Sequence, residues 1–373
     1  MTAPEFPMPR TCPYQPPPGY DELRAAGPVT RISIPSGGTA WAVTGYDQAR
    51  ALFNDSRLSV DRTSPAYPRL TSSRIDTAAM KTVQTFVDMD EPEHGVHRRM
   101  LIPWFTLRGA NALRPRLRDV ADELVAGLRD AGPPADLLPA FAAPLAAALF
   151  CALFGIPEAD HAFFRERGCV AATDRARAGE ALWDLRQYLD THARSDRAEG
   201  LVGALVSTRV AGGELTHDQL LNMLTTLLVA GSENLANLIP LAVLTLLEHP
   251  AQLAAVTADA DLLPGAVEEL LRYLSIADTV PRLALAGIEL GGHLIEAGDG
   301  VIIPVAAANR SAEVFAEPDT FDVRRSARQH LAFGHGVHQC LGQNLVRVVL
   351  EVALSALFDG IPSLRLAVPV ERI

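Results

Sequence analysis

Lysine is all but missing from this chain: among 373 residues only Lys81 carries a primary amine, and every other strongly basic side chain is arginine. That bias reads as the mark of a GC-rich genome rather than of a function. Basic charge is also in deficit as a whole. A formal net charge of −11 argues against a nucleic-acid ligand, although a local basic face can still receive an acidic partner. Cysteine is scarce, at positions 12, 151, 169 and 340, with no CxxC spacing and no small-domain framework. This fits unpaired thiols in a reducing cytosol. The first twenty residues lack a basic n-region, an apolar h-region and a membrane-length apolar span, so the expectation is a soluble cytoplasmic protein without membrane contact. After the proline-rich start no linker, low-complexity run or internal repeat divides the sequence, which predicts one unit despite a length that allows two or three.

What is present is mostly helix. The opening to Gly19 lies extended, because proline fixes φ and removes donors. A short helix follows over 20–26, and VTRISIP and TAWAVTGY alternate like a hairpin around Ser36-Gly37-Gly38, with another helix over 47–54. Residues 55–88 are rich in Ser, Thr, Pro and Arg with weak periodicity, which fits either a functional lid or a surface connection. Helical periodicity then runs through 114–130, 136–154, 158–170 and 180–193, punctuated by Gly and Pro. The longest helical signal covers 216–248, with Thr216 as N-cap, Gln219 as its capping-box partner and Pro250 just beyond the end. Its leucines leave no broad polar face, so it is expected to be buried. RLALAG, IELGG and VIIPVAAAN read as short strands, followed by a loop-rich approach to Cys340 and a last helix from about 343 to 357.

The chemistry centres on FGHGVHQCLG at 333–342. Cys340 stands in a glycine-punctuated loop at the mouth of a helix, where outward N–H groups and the positive dipole end favour a thiolate. Gly334, Gly336 and Gly342 permit a close backbone approach that would let a flat cofactor lie against the loop, with Phe333 packed on its face. A lone cysteine before an apolar helix is more often a small buried hydrophobe; the ten-residue pattern changes the reading. Inside the long helix, AGSEN places Ala230, Gly231, Glu233 and Asn234 in apolar surroundings. A charge there is costly unless it serves something. Glu233 can pair with an arginine and Asn234 with a freed carbonyl, or both can serve a site. Glu269 and Arg272 stand three apart on one helix face, a spacing common by chance.

Phe333, Gly334, Gly336, the basic His338, Cys340 and Gly342 match every fixed position of the haem-ligand signature of the cytochrome P450 family, and the chain resembles that family nearly throughout. The resemblance implies a mainly helical, single P450-type domain with a small β portion, holding haem b between the 216–248 helix and the Cys340 loop. Cys340 is then the proximal iron ligand, whose electron donation favours O–O cleavage. Ala230 and Gly231 leave room for dioxygen, and Glu233 is the acid of the proton relay. Asn234 stands where the family usually has threonine. An amide orients a water but lacks a rotating hydroxyl. His94, Arg98, Arg282 and His338 are the expected propionate contacts, and Glu269, Arg272 and Arg325 the ion-pair network that supports the loop. His330, His335 and His293 receive no role.

The implied activity is oxidative tailoring of a mid-sized apolar or aromatic secondary metabolite by hydroxylation or epoxidation. Electrons come from NAD(P)H through an external ferredoxin reductase and ferredoxin docking near Arg98 or Arg99, since the sequence shows no flavin or iron–sulfur domain. Two alternatives stand beside it. The asparagine at 234 favours oxidative radical coupling, with C–C or C–N bond formation on a cyclic dipeptide or aromatic product, and a non-catalytic haem-binding partner or gas sensor belongs to a different class. Substrate contacts are expected from 61–87, 163–183, 227–237 and 276–280. The sequence ends at Ile373, where similar proteins continue through a further β-hairpin, so that hairpin is expected to be absent or truncated.

Overall fold

Two alternating segments build the sheet of this protein. The computed structural model describes residues 3–12, 14–71 and 77–372, which fall into two units, Met1–Arg98 with Glu268–Cys340 and Arg99–Val267 with Leu341–Ile373. In the first, the strands are β1 (Val29–Ser33), β2 (Thr39–Val43), β3 (Leu58–Ser59), β4 (Thr279–Ala284), β5 (Ile288–Leu290), β6 (His293–Ile295) and β7 (Gly300–Pro304). Five of them form one sheet in the order β1-β2-β7-β4-β3, antiparallel except where β2 runs parallel to β7, while β5 and β6 pair separately. Both faces of the large sheet are covered. Trp41, Val43, Val301 and Ile303 pack with Tyr46, Leu52 and Phe53 on one side; Ala40, Ala42 and Ile302 pack with Phe6, Tyr20 and Leu23 on the other. The period-2 alternation of strands explains why neighbouring residues serve opposite cores.

The second unit is helical. Its organising element is the helix His217–Glu248, 32 residues or about 48 Å at 1.5 Å per residue. The capping box is present: Thr216 Oγ1 accepts from the Gln219 amide at 3.1 Å, and Gln219 Oε1 accepts from the Thr216 amide at 2.8 Å. By length and composition this helix could cross a membrane, but half of its most apolar window is buried inside the fold, as in a core helix. The helices Leu107–Ala131 and Gln343–Gly360 are joined through Arg114 Nη2 to Glu351 Oε2 at 2.6 Å and Arg118 Nη1 to Ser355 Oγ at 2.8 Å.

Three expectations change in the structure. The helix read from 114 begins seven residues earlier, at Leu107, because Thr106 accepts the Gly109 amide and the chain carries Pro115 inside the helix rather than at its start. The VAAA that follows β7 is a turn of helix, Val305–Ala308, although its residues read as a continuing strand. The stretch 55–88, read as irregular, contains β3 and the helix Thr77–Val83.

Gly231 also answers to a packing demand. It faces the core: a Cβ there would lie 2.3 Å from Cζ of Phe150, on the buried face of the neighbouring helix Ala143–Phe154. Its small size therefore serves helix packing. Gly231→Ala overpacks this contact and is expected to destabilise the protein by about 1–3 kcal/mol. Phe150→Leu in the same chain should recover part of the loss, measured by denaturant midpoint.

Candidate functional site

The loop that carries Cys340 is shaped by its glycines. Gly334 and Gly336 adopt φ of 66° and 75°, and at Gly336 an added Cβ would meet the Phe53 carbonyl oxygen and Asn54 Oδ1 at 2.5 Å. No other residue fits that backbone beside the Tyr46–Phe53 helix. Gly342 is different: with φ −79° it is the N-cap of Gln343–Gly360, so Cys340 sits two residues before the cap. The Cys340 amide donates to the Phe333 carbonyl at 2.8 Å, closing the loop around a single helical turn, Gly336–His338.

Four basic side chains converge beside this loop. The His94 and His338 rings lie 4.0 Å apart, and Arg98 Nη2 donates to the Gln339 carbonyl at 2.5 Å. Arg98, Arg282 and His94 together with burial push the His338 imidazole down to about 3, burial being the largest cause. Burial likewise lowers Arg98, against which Cys340 beside it raises it, and burial lowers Arg282. His94 is 1% exposed in its side chain and meets Glu91 Oε1 through Nδ1 at 3.0 Å. A carboxylate only accepts, so Nδ1 carries the hydrogen. The buried Nε2 has no hydrogen-bond partner among the described residues. An orphaned ring nitrogen among two guanidiniums and a second imidazole is a set of groups that fits a dianionic ligand, as the two propionates of haem are.

Behind the loop stands a charged pair with no exposed surface. Glu269 and Arg272 are both 0% exposed. Arg272 donates through Nε and Nη2 to the two Glu269 oxygens at 2.7 and 2.8 Å, through Nη1 to the carbonyls of Asn309 and Pro318 at 2.9 and 2.8 Å, and through Nη2 to that of Thr320 at 3.4 Å. Glu269 also accepts from Arg325 Nε and the Asp322 amide, each at 3.1 Å. Arg325 extends the network to the carbonyls of Ala316, Glu317 and Thr320.

In the helical unit, Ala230, Glu233, Asn234 and Asn237 are the exposed positions of the middle of His217–Glu248, at the spacing of one helix face. Glu233 makes no ion pair with an arginine among the described residues. Asn234 Nδ2 donates to the Ala230 carbonyl at 2.6 Å, and Asn237 Nδ2 to that of Glu233 at 2.8 Å. Of the segments expected to touch a substrate, 72–76 lies outside the described residues. Phe163 and Trp183 are exposed, and the Phe163 ring is 5.9 Å from the Arg167 guanidinium.

Some contacts escaped the sequence. Glu91, which orients His94, was not singled out, although a carboxylate three residues before a histidine is a usable signal. The Gln339 carbonyl that takes Arg98 left none; Arg98 is half-buried, while Arg99 beside it is exposed.

The fold and this grouping define a haem-thiolate oxidoreductase, and comparison with known proteins gives the family. The family model described as cytochrome P450 matches residues 180–359. The vitamin D3 dihydroxylase of Streptomyces griseolus is 48% identical, over 100% of this chain and 93% of that protein. The pentalenic acid synthase of Streptomyces avermitilis is 46% identical, over 99% and 92%. Among solved structures, the mycinamicin VIII C21 methyl hydroxylase of Micromonospora griseorubida, bound to mycinamicin VIII, superposes with a TM-score of 0.89 at 40% identity, covering 99% of this chain and 94% of that one. The chain belongs to the cytochrome P450 family and is a P450 monooxygenase-type oxidoreductase.

Replacing Arg272 by Met leaves Glu269 buried without its main partner and is expected to destabilise the protein by about 3–5 kcal/mol. The loss should be read in urea titrations of haem-loaded protein, and a change below 1 kcal/mol would show that the pair is dispensable.

Proposed function

We propose that this protein is a haem b monooxygenase that hydroxylates a mid-sized, largely apolar secondary metabolite. The observation that carries the reading is the buried, unpartnered His94 Nε2 among Arg98, Arg282 and His338, next to the loop of Cys340. Haem-thiolate iron supplies dioxygen activation when bound. The chain as one domain supplies the rest. Cys340 is the thiolate ligand, placed ahead of a helix N-terminus that favours the anion. His94, Arg98, Arg282 and His338 hold the propionates, with Glu91 orienting the His94 ring through Nδ1. Phe333 and Gly342 complete the cofactor contacts, and Glu269, Arg272 and Arg325 keep the approach to the loop in one conformation. The exposed face of the long helix bears Glu233, the group that passes protons, and Ala230 and Asn234 beside it.

The substrate class rests on relatives named for hydroxylation of vitamin D3 and of a mycinamicin methyl group. NAD(P)H electrons reach the protein in the cytoplasm through a ferredoxin reductase and a ferredoxin. The reduced, carbon monoxide-bound protein is expected to show a strongly red-shifted Soret band that Cys340→Ser abolishes. A histidine-like band in the parent would overturn the assignment of Cys340.

Asn234 gives a second reading, radical coupling, a specific footing, because its amide is tied to the Ala230 carbonyl and presents no rotating hydroxyl. Asn234→Thr separates the two. If coupling is the native outcome, hydroxylated by-products should rise several-fold at the expense of the coupled product in single-substrate turnover; an unchanged product ratio removes that reading.

A further inference from the structure

His330 opens the run to Cys340 and belongs to none of the contacts above. Its side chain is 1% exposed and both ring nitrogens are committed. The Ala332 amide donates to Nδ1 at 3.2 Å. A backbone N–H can only donate, so Nδ1 is bare and Nε2 carries the hydrogen, which it gives to Glu268 Oε2 at 3.1 Å. The tautomer follows from the partners alone. Glu268 is itself buried, with 7% of its side chain exposed, and stands next to Glu269 on the helix Leu263–Leu274.

The residues after His330 pass this anchorage along. The Leu331 amide donates to Asn309 Oδ1 at 2.7 Å, and the Asn309 carbonyl is one of the acceptors of Arg272. The Gly334 amide donates to the Leu331 carbonyl at 2.8 Å, and the Cys340 amide to the Phe333 carbonyl at 2.8 Å. The Phe333 ring lies 5.6 Å from the His330 ring. Two adjacent carboxylates thus hold different stretches. Glu269 secures 320–325 through Arg272, Arg325 and the Asp322 amide, whereas Glu268 reaches the chain again at 330, ten residues before the cysteine.

We propose that His330 is a positioning residue for Cys340: clamped between Glu268 and the Ala332 amide, it fixes the Phe333 carbonyl that receives the Cys340 N–H, and so the direction in which the sulfur is presented. This rests on the haem-thiolate reading and deepens it. The effect is preorganisation, in which a ligand's rotamer and backbone are held by groups that never touch the metal.

The test uses full-length, haem-loaded protein and follows the carbon monoxide complex of the reduced form. The quantity read is the rate at which the red-shifted Soret band gives way to the band of a complex without thiolate, with far-UV circular dichroism recorded alongside. His330→Leu removes both bonds and should speed that conversion at least ten-fold with helix content unchanged. His330→Asn can still accept the Ala332 amide through Oδ1 and should fall between the two. Glu268→Gln keeps an acceptor for Nε2–H and should stay near the parent, while Glu268→Leu should resemble His330→Leu. If His330→Leu does not fold, the Glu268 pair decides alone. Rates within two-fold of the parent for His330→Leu, or for Glu268→Leu where that pair decides, overturn the proposal while leaving Cys340 as ligand. A parent without the red-shifted band overturns both.

Discussion

The whole approach to Cys340 depends on one guanidinium taken out of water. Burying Arg272 and Glu269 carries a desolvation penalty of several kcal/mol per ion, which mutual attraction offsets only if every remaining donor and lone pair is satisfied. Here they are. Arg272 has five N–H donors and five acceptors on Glu269, Asn309, Pro318 and Thr320. Glu269 receives four donors, from Arg272, Arg325 and the Asp322 amide, against about four lone-pair sites. Three of the acceptors are backbone carbonyls of a segment with almost no regular structure. Loops normally meet their backbone groups with water at the surface. This one meets them with a helix-borne cation, which is how an irregular segment attains a single conformation under a cofactor loop.

That arrangement also explains which parts of the molecule could be read from the sequence. The 216–248 helix was legible in type, N-cap and end because its signals are local: a capping box, a continuous apolar run and a proline beyond. The β1–β2 hairpin was legible for the same reason. Leu107–Ala131 was mis-started because Pro115 is a helix-start signal by itself, and only the Thr106 cap nine residues upstream overrides it. In the site, Cys340, Gly334 and Gly336 stood out because backbone demands leave glycine as a mark. Gly231 carried the same mark, and no sequence pattern showed the Phe150 side chain packed against it. His330 and Glu268 went unassigned because their bond spans 62 positions and neither residue type is unusual.

The basic cluster shows how an electrostatic conflict reports a ligand. Burial first, and then His94, Arg282 and Arg98, hold the His338 imidazole well below its usual range, and burial lowers Arg98 and Arg282 as well. Within a protein alone such a grouping is unfavourable. Two carboxylates placed among them add attractive interactions that offset this cost, so the binding free energy of an anionic cofactor includes that attraction as well as new hydrogen bonds. Anything that binds only the folded state stabilises it. In the proposed reading an anionic cofactor bound at this cluster therefore stabilises its unit.

Asn234 bears on the chemistry through geometry rather than charge. A threonine hydroxyl can accept from one group and donate to another by rotating about a single bond, whereas an amide is planar and its N–H and C=O ends are fixed in opposite directions. Once Nδ2 has donated to the Ala230 carbonyl at 2.6 Å, the plane is set and Oδ1 remains an acceptor that cannot become a donor. Asn237 repeats the arrangement one turn on, tied to the Glu233 carbonyl. The exposed face of the long helix thus presents two tied amides after one carboxylate, and of these three side chains only Glu233 can both take up and release a proton. In the proposed reading, proton delivery therefore falls to that acid.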